Sequence, residues 1–298
     1  MTIFLVPNQN KPQAWRVAHE AAAILADDGV ACLLEPAFSS IGQLPNVTYM
    51  PAEQAYKACD IVVTIGGDGT MLHTARETLH CQAPMLGINM GRLGFLTLIE
   101  SDEMEKLRRL PRGEYHVEHR SLLQARGGGE TPFSGIGLND IVLFKSRPEK
   151  TIGLDIYCDD TKVSSFRGDG IVFATPTGST ADYWSAGGPI LDARLDGIMA
   201  THICAHMVYT PPMVFAGDRV LRAVPQAGEE EKILISCDGL ESHALPDGEP
   251  LLITQSASRV PLVQFKDAGQ LESIDKKLKG RGPMKNARHQ KILELIDR

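Results

Sequence analysis

The sequence predicts an α/β first region built on a parallel sheet, followed by a β-rich second region that is antiparallel and sandwich-like. Three observations predict it. Up to about residue 112, short apolar strands alternate with helical patterns, which is the grammar of parallel βαβ units with right-handed crossovers. Beyond that point strand-like stretches follow one another directly, with turn residues between them at Gly127-Gly128-Gly129, Asp159-Asp160, Pro225 to Gly228 and Pro246-Asp247-Gly248. Consecutive strands joined by such turns form antiparallel sheets. Finally, glycine-rich loops stand where buried strands give way to helices, the place at which open α/β sheets bind ligands. The predicted divisions are 1–112, 113–265 and a polar helical tail over 266–298.

The elements follow in order. Thr2 to Val6 is a buried strand stopped by Pro7-Asn8. Ala14 to Asp27 places Val17, Ala21, Ile24 and Leu25 on one helical face, and Gly29 closes the helix. Val30 to Leu34 and Ile61 to Ile65 are the next strands. The second runs into Gly66-Gly67-Asp68-Gly69-Thr70 and a helix over Met71 to Leu79, with Met85 to Asn89 as a fourth strand. Later, Ile141 to Phe144 and Ile171 to Ala174 read as strands. The tail ends on the short amphipathic set Ile292, Leu293, Leu295 and Ile296.

Composition narrows the function. The chain has 298 residues, 43% of them apolar and 22% charged, with 30 Lys and Arg against 37 Asp and Glu, a net charge of -7. An acidic chain lacks the positive footprint that the DNA backbone or an anionic bilayer requires, so neither nucleic acid nor membrane is an expected partner. Anionic small molecules are compatible, because helix N-termini and local cations override the global sign. No apolar run approaches the roughly 20 residues of a membrane span. The six cysteines are far apart in sequence and form no CxxC pair. With an opening MTIFLVPNQNKPQ that lacks a basic n-region, they predict free thiols in a cytoplasmic protein.

The sharpest feature is Gly66-Gly67-Asp68-Gly69-Thr70. Glycines let the backbone approach a phosphate, and the N–H groups at a helix start attract its charge. A carboxylate in that place repels phosphate unless it has a task, such as orienting a hydroxyl for attack. A plain helix cap needs neither the two glycines before Asp68 nor the one after it. Gly87-Ile88-Asn89-Met90-Gly91-Arg92-Leu93-Gly94-Phe95-Leu96 is a second strand-end loop. Its spacing is neither GxGxxG nor GxxxxGK[ST], which supports neither a Rossmann dehydrogenase nor a Walker ATPase. Arg167-Gly168-Asp169-Gly170 leads into a strand, then Thr175-Pro176-Thr177-Gly178-Ser179-Thr180-Ala181 and Ser185-Ala186-Gly187-Gly188-Pro189. These offer many short donors to sugar hydroxyls and phosphate oxygens. Asn139-Asp140 alone is a turn signal. No histidine spacing suggests a zinc site and no GxSxG is present.

Taken in order, Pro7-Asn8 with Lys11-Pro12, GGDGT, GINMGRLGFL, LNDIV, and RGDGIVFATPTGSTA with SAGGPI resemble the NAD kinase family along nearly the whole chain. GGDGT is shared with lipid kinases and phosphofructokinases; GDGIVFATPTGST points to the NAD branch. The resemblance implies an active site between the two regions and a tail packed back on the first. It implies a homodimer or homotetramer, and transfer of the γ-phosphoryl of ATP, or polyphosphate in some members, to the adenosine 2′-hydroxyl of NAD, with Mg2+ accompanying the ATP phosphates. Carried over by position, Asp68 is the catalytic carboxylate. The binding residues are Gly66, Gly67, Gly69, Thr70, Asn89, Asn139, Asp140, Lys150, Arg167, Asp169, Thr180, Ala181 and Ser185. Asn139 and Asp140 would hold the ribose and adenine, and Asp169 the carboxamide.

Three departures bear on the acceptor. Asp182 stands where relatives commonly carry a stacking tyrosine, with Tyr183 and Trp184 next in line. Leu240 follows Asp238-Gly239 in place of a polar residue, and the segment 205–211 lacks the usual Arg. Weaker NAD binding is expected, tightened by Asp182→Tyr. The alternatives are a kinase of the same fold acting on another nucleoside or sugar, and a non-catalytic nucleotide-binding regulator; the carboxylate of Asp68 speaks against the latter.

Overall fold

A computed structural model of the protein describes residues 1–41, 46–81, 83–91, 94–128, 132–207, 210–240, 242–246 and 248–265. The tail over 266–298, and Arg92-Leu93 within the second glycine loop, lie outside the described residues.

The first region runs β1 (Thr2–Pro7), α1 (Pro12–Asp27), β2 (Ala31–Leu34), β3 (Val47–Tyr49), α2 (Ala52–Ala58), β4 (Ile61–Gly66), α3 (Asp68–Glu77), β5 (Met85–Asn89) and the short β6 (Ile99–Glu100). Its strands pair in parallel in the order β3-β2-β1-β4-β5. Every residue of β4 and β5 is buried, as continuous apolar strands covered on both faces should be. Two apolar layers cover them: α1, with Val17, Ala21 and Leu25, on one face, and Met71, Leu72 and Ala75 of α3 on the other. The sequence signal did not contain β3 and α2. A strand of three residues and a helix of seven carry too little periodicity to read.

The second region comprises β7 (His116–Gly127), β8 (Phe133–Gly137), β9 (Asp140–Lys145), β10 (Ile152–Cys158), β11 (Thr161–Gly168), β12 (Gly170–Ala174), α4 (Asp182–Ser185), β13 (Gly197–Ile203), β14 (Met213–Ala216), β15 (Leu221–Pro225), β16 (Ile233–Cys237), β17 (Ser242–Ala244) and β18 (Leu251–Gln264). One sheet, β14-β13-β12-β9-β16-β17, is antiparallel throughout. Alternate residues face inward from it, Ile141 and Leu143, Ile171 and Phe173, Ile198 and Ala200, Ile233 and Ile235. They meet Leu154, Phe166, Ala223 and Ile253 from the opposing strands, giving the core of a sandwich.

The opposing sheet is not separate from the first region. Strand β18 pairs antiparallel with β7 along its length, and its far end joins β5 in parallel at Leu262 and Met85. A register shift between Gln255 and Arg259 divides β18 into a half that serves the sandwich and a half, Val260 to Val263, that enters the first region's apolar layers. A single twelve-stranded sheet therefore runs through both regions. That continuity brings the carboxyl ends of β1, β4 and β5 toward the end of the second sheet where β9 begins and β12 and β16 finish.

Candidate active site

The site is built from two glycine-rich halves. In the first, β4 delivers Gly66 and Gly67, the latter capping α3, and Asp68 is the first helical residue. The Asp68 carboxylate accepts the backbone N–H of Phe95 at 2.6 Å and of Leu96 at 3.0 Å. The two glycine loops of the sequence are thus one device: the loop after β5 holds the carboxylate presented by the loop after β4. Gly94 is needed for it, because a Cβ at that position would lie 2.2 Å from Asp68 Oδ1. Thr70 accepts the Asn8 side-chain amide at 2.9 Å, which ties the turn after β1 to the same place. Asn89, 1% exposed, donates to Glu100 at 2.8 Å and accepts the Gly91 N–H at 3.2 Å. Its amide shapes the second loop.

In the second half, Asn139-Asp140 starts β9, and the carboxylate of Asp238 grips it. That carboxylate accepts the N–H groups of Leu138 at 2.8 Å, Asn139 at 2.7 Å and Asp140 at 3.1 Å. Asp238 adopts φ 55, a left-handed conformation that Asp tolerates better than most residues. The loop opening the second hydroxyl-rich motif lies directly against this turn. Thr175 N–H donates to the Asn139 carbonyl at 2.9 Å, and a Cβ at Gly178 would fall 2.0 Å from the same oxygen. Asp140 is 3% exposed. Burial, then the neighbouring carboxylates of Asp238 and Asp182, hold its carboxyl well above the usual carboxylate range, with the Asp182 backbone N–H acting weakly in the opposite direction. Asp238 is also pushed up by burial, against its three N–H donors and Arg76 of α3.

Of the remaining residues singled out in the sequence, Thr180, Ala181 and Ser185 follow the TPTGST loop, whereas Lys150, Arg167 and Asp169 stand at the opposite end of β9 and β12 from the Asn139-Asp140 turn. Thr177–Thr180 is a 3-10 turn leading through Ala181 into α4; Thr180 and Ala181 are half-buried and Ser185 is exposed. Asp169 is ion-paired with Lys145 at 2.6 Å, and the exposed Arg167 with Glu229 at 3.1 Å while reaching the Thr151 carbonyl. Lys150 is exposed on the turn after β9. Nearby, Glu231 accepts from Ser146 and from the Arg147 guanidinium, which pulls its carboxyl down to about 2. On the other side of the Asp68 turn a cleft of ≈ 530 Å³ is lined by Asn8, Tyr56, Gly69, Thr70 and His73, with Leu240 reaching it from the second region.

The structure therefore joins Asp68 to the loop after β5, and Asn139-Asp140 to the TPTGST loop. Gly94, Asp238 and Lys145 were not identified from sequence. The signal for Gly94 was its place in the second glycine loop. Asp238 makes its contacts 98 to 100 residues away, and no local pattern could mark them.

Comparisons with known proteins identify relatives of this chain. Residues 3–115 match the ATP-NAD kinase N-terminal domain, and residues 138–265 the ATP-NAD kinase C-terminal domain. The chain is 37% identical to the NAD kinase of Hahella chejuensis over 242 residues, covering 80% of this chain and 82% of that protein. It is 35% identical to the NAD kinase of Azotobacter vinelandii, covering 86% and 85%. Among solved structures, yeast NADH kinase complexed with NADH superposes with a TM-score of 0.85 at 23% identity, over 96% of this chain and 89% of that one. An Archaeoglobus fulgidus NAD kinase in complex with ATP gives 0.76 at 23% identity, over 95% and 100%. Both halves of the site fall within the matched domains, and the chain belongs to the NAD kinase family.

Proposed function

We propose that the protein transfers the γ-phosphoryl of ATP to the adenosine 2′-hydroxyl of NAD, forming NADP. The observation that carries this reading is the Asp68 carboxylate, oriented by two backbone N–H groups at the start of α3. Phosphoryl transfer is mainly positioning and charge neutralisation. A carboxylate fixed in this way can orient the attacking hydroxyl and take its proton late in the reaction. The Gly69-Thr70 side of the turn, at the helix N-terminus, suits the donor phosphates. The Asn139-Asp140 turn and the Thr180-Ala181 rim suit the acceptor nucleoside, and Asp169, Arg167 and Lys150 its far end.

A divalent ion such as Mg2+ belongs to the same reading. Mg2+ is usually bound through one or two carboxylates together with substrate phosphates, and here it would accompany the donor phosphates. When bound it neutralises their charge; orientation of the hydroxyl is left to Asp68. Assembly as a homodimer or homotetramer and a cytoplasmic setting complete the proposal, the latter supported by free cysteines at all six positions. Among the described residues no helix is long and apolar enough to cross a membrane. The test is NADP formation from ATP, Mg2+ and NAD by the purified protein. NADP formation supports the reading. Its absence, with phosphorylation of another nucleoside or sugar instead, would move the acceptor, as Asp182 and Leu240 permit.

A further inference from the structure

Phe95 and Leu96 bond the Asp68 carboxylate through their backbone N–H groups, and Thr97 is the next residue in the loop. Thr97 is 8% exposed, and its hydroxyl Oγ1 has no hydrogen-bond partner. A buried hydroxyl without a partner costs the folded state stability. Such groups are rare, and where one persists it calls for a role other than holding the fold.

Two glycines set how this side chain points. A Cβ at Gly87 of β5 would fall 2.9 Å from the Thr97 methyl Cγ2 and 2.9 Å from Met71 Sδ. The bare backbone at Gly87 is thus the seat of the methyl. The Leu98 N–H, bonded to the Gly87 carbonyl at 3.0 Å, pins the chain against that strand. On the other side, a Cβ at Gly94 would lie 2.7 Å from Thr97 Oγ1 and 2.2 Å from Asp68 Oδ1. The hydroxyl and the carboxylate oxygen therefore border the same small space, the one that Gly94 leaves open. Oδ1 is also the more loosely held of the two carboxylate oxygens, with its N–H donor at 3.0 Å against 2.6 Å at Oδ2. An ionised carboxylate oxygen accepts more than one hydrogen bond.

We propose that Thr97 is a positioning residue for phosphoryl transfer, its hydroxyl donating to Asp68 Oδ1 across the Gly94 gap when the acceptor hydroxyl is engaged. The inference rests on the role proposed above for Asp68. Hydrogen bonds of catalytic groups are often long in free enzymes and tighten in the Michaelis complex. Thr97 completes a run of three consecutive donors, two N–H groups and one hydroxyl, all directed at one carboxylate. It acts through Asp68 and touches no substrate.

Two variants separate the methyl from the hydroxyl, read by kcat, KM for NAD and melting temperature. Thr97→Val keeps the branched shape and removes the hydroxyl. It should lower kcat about tenfold and leave KM within about twofold, the loss of one hydrogen bond to a charged group. Its melting temperature should rise, because the unpartnered buried hydroxyl is gone. Thr97→Ser keeps the hydroxyl and removes the methyl seated at Gly87. It should retain kcat within about threefold while its melting temperature falls. A residue that only packs would give the reverse order, with Ser the more damaging change in both measurements. Unchanged kcat in Thr97→Val, an equal loss of kcat in Thr97→Ser, or a lowered melting temperature in Thr97→Val would each overturn the proposal. With a wild type that makes NADP, any of these leaves the proposed reaction standing. If the wild type formed no NADP from ATP, Mg2+ and NAD, that reaction itself would fail, and this proposal with it.

Discussion

Asp68 and Asp140 are carboxylates from the two glycine-rich halves of one site, and they are held in opposite ways. Asp68 is half-buried at a helix N-terminus and takes two N–H donors from the loop after β5. Asp140 is 3% exposed, faces two further carboxylates, and is pushed toward its protonated form. Burial beside like charges disfavours the charged carboxylate at Asp140. The first arrangement suits a group that must be aimed at a hydroxyl. The second belongs to a buried residue of the turn that Asp238 holds. On the proposed reading, the same residue type serves in a reacting position and in a buried one.

Removing charge at each position separates the two. Asp68→Asn keeps size and much of the hydrogen bonding but loses the proton acceptor, so turnover should fall by about 10²-fold or more, read by steady-state NADP formation. Melting temperature should hardly move, since the side chain faces the site. Near-normal turnover in this variant would remove Asp68 from the reaction. Gly94→Ala attacks the same carboxylate indirectly, by forcing a methyl into the space of Oδ1. It should lower turnover by roughly tenfold or more, because misplacement of a reacting group by about 1 Å is costly. NAD binding should change less.

The second half should respond in stability and binding rather than in chemistry. Asp238→Ala leaves three N–H groups of the Leu138 to Asp140 turn without their acceptor. Unsatisfied buried donors cost about 1–3 kcal/mol, measurable by denaturant unfolding, and the loosened turn should raise the KM for NAD more than it lowers kcat. An unchanged unfolding midpoint would show that the turn holds itself.

A smaller effect comes from Asp140. Its folded-state pKa is raised above the unfolded value, so the folded protein holds a proton that the unfolded chain releases. The stability it contributes is complete below the unfolded pKa near 4 and is lost as pH rises through the folded pKa. Asp140→Asn should flatten that loss, visible in melting temperature as pH is raised from about 4. An unaltered profile would assign the loss to other groups. The smallest expected effect is none at all. Thiol titration of the denatured, unreduced protein should find all six cysteines, of which Cys32 and Cys237 are buried, with burial pushing both thiols up to about 12.

How legible each half was follows from the distance over which its contacts act. The GGDGT turn is written within five residues at the end of a fully buried strand, and the structure places it there. The antiparallel second region was legible in its turns, such as Asp159-Asp160 between the paired strands β10 and β11. The joining of both regions into one sheet through β18 was not, because a register shift inside a fourteen-residue strand leaves no compositional mark. Asp238 was missed for a related reason: its three partners lie in another strand of the sheet. At 182–184 no local pattern marks the packing, in which Tyr183 covers the outer face of the second sheet and Trp184 meets Phe95.

The central claim is that the loop after β5 acts in the reaction solely by orienting the Asp68 carboxylate. A double-mutant cycle tests it most directly, with kcat for NADP formation measured for wild type, Asp68→Asn, Gly94→Ala and the combined variant. Residues that act as one unit give strongly non-additive losses. The account predicts that the combined variant is no slower than Asp68→Asn alone, because the carboxylate that Gly94 accommodates is already gone. Losses that multiply in full would contradict it, and would mean that the loop contributes to the reaction apart from Asp68.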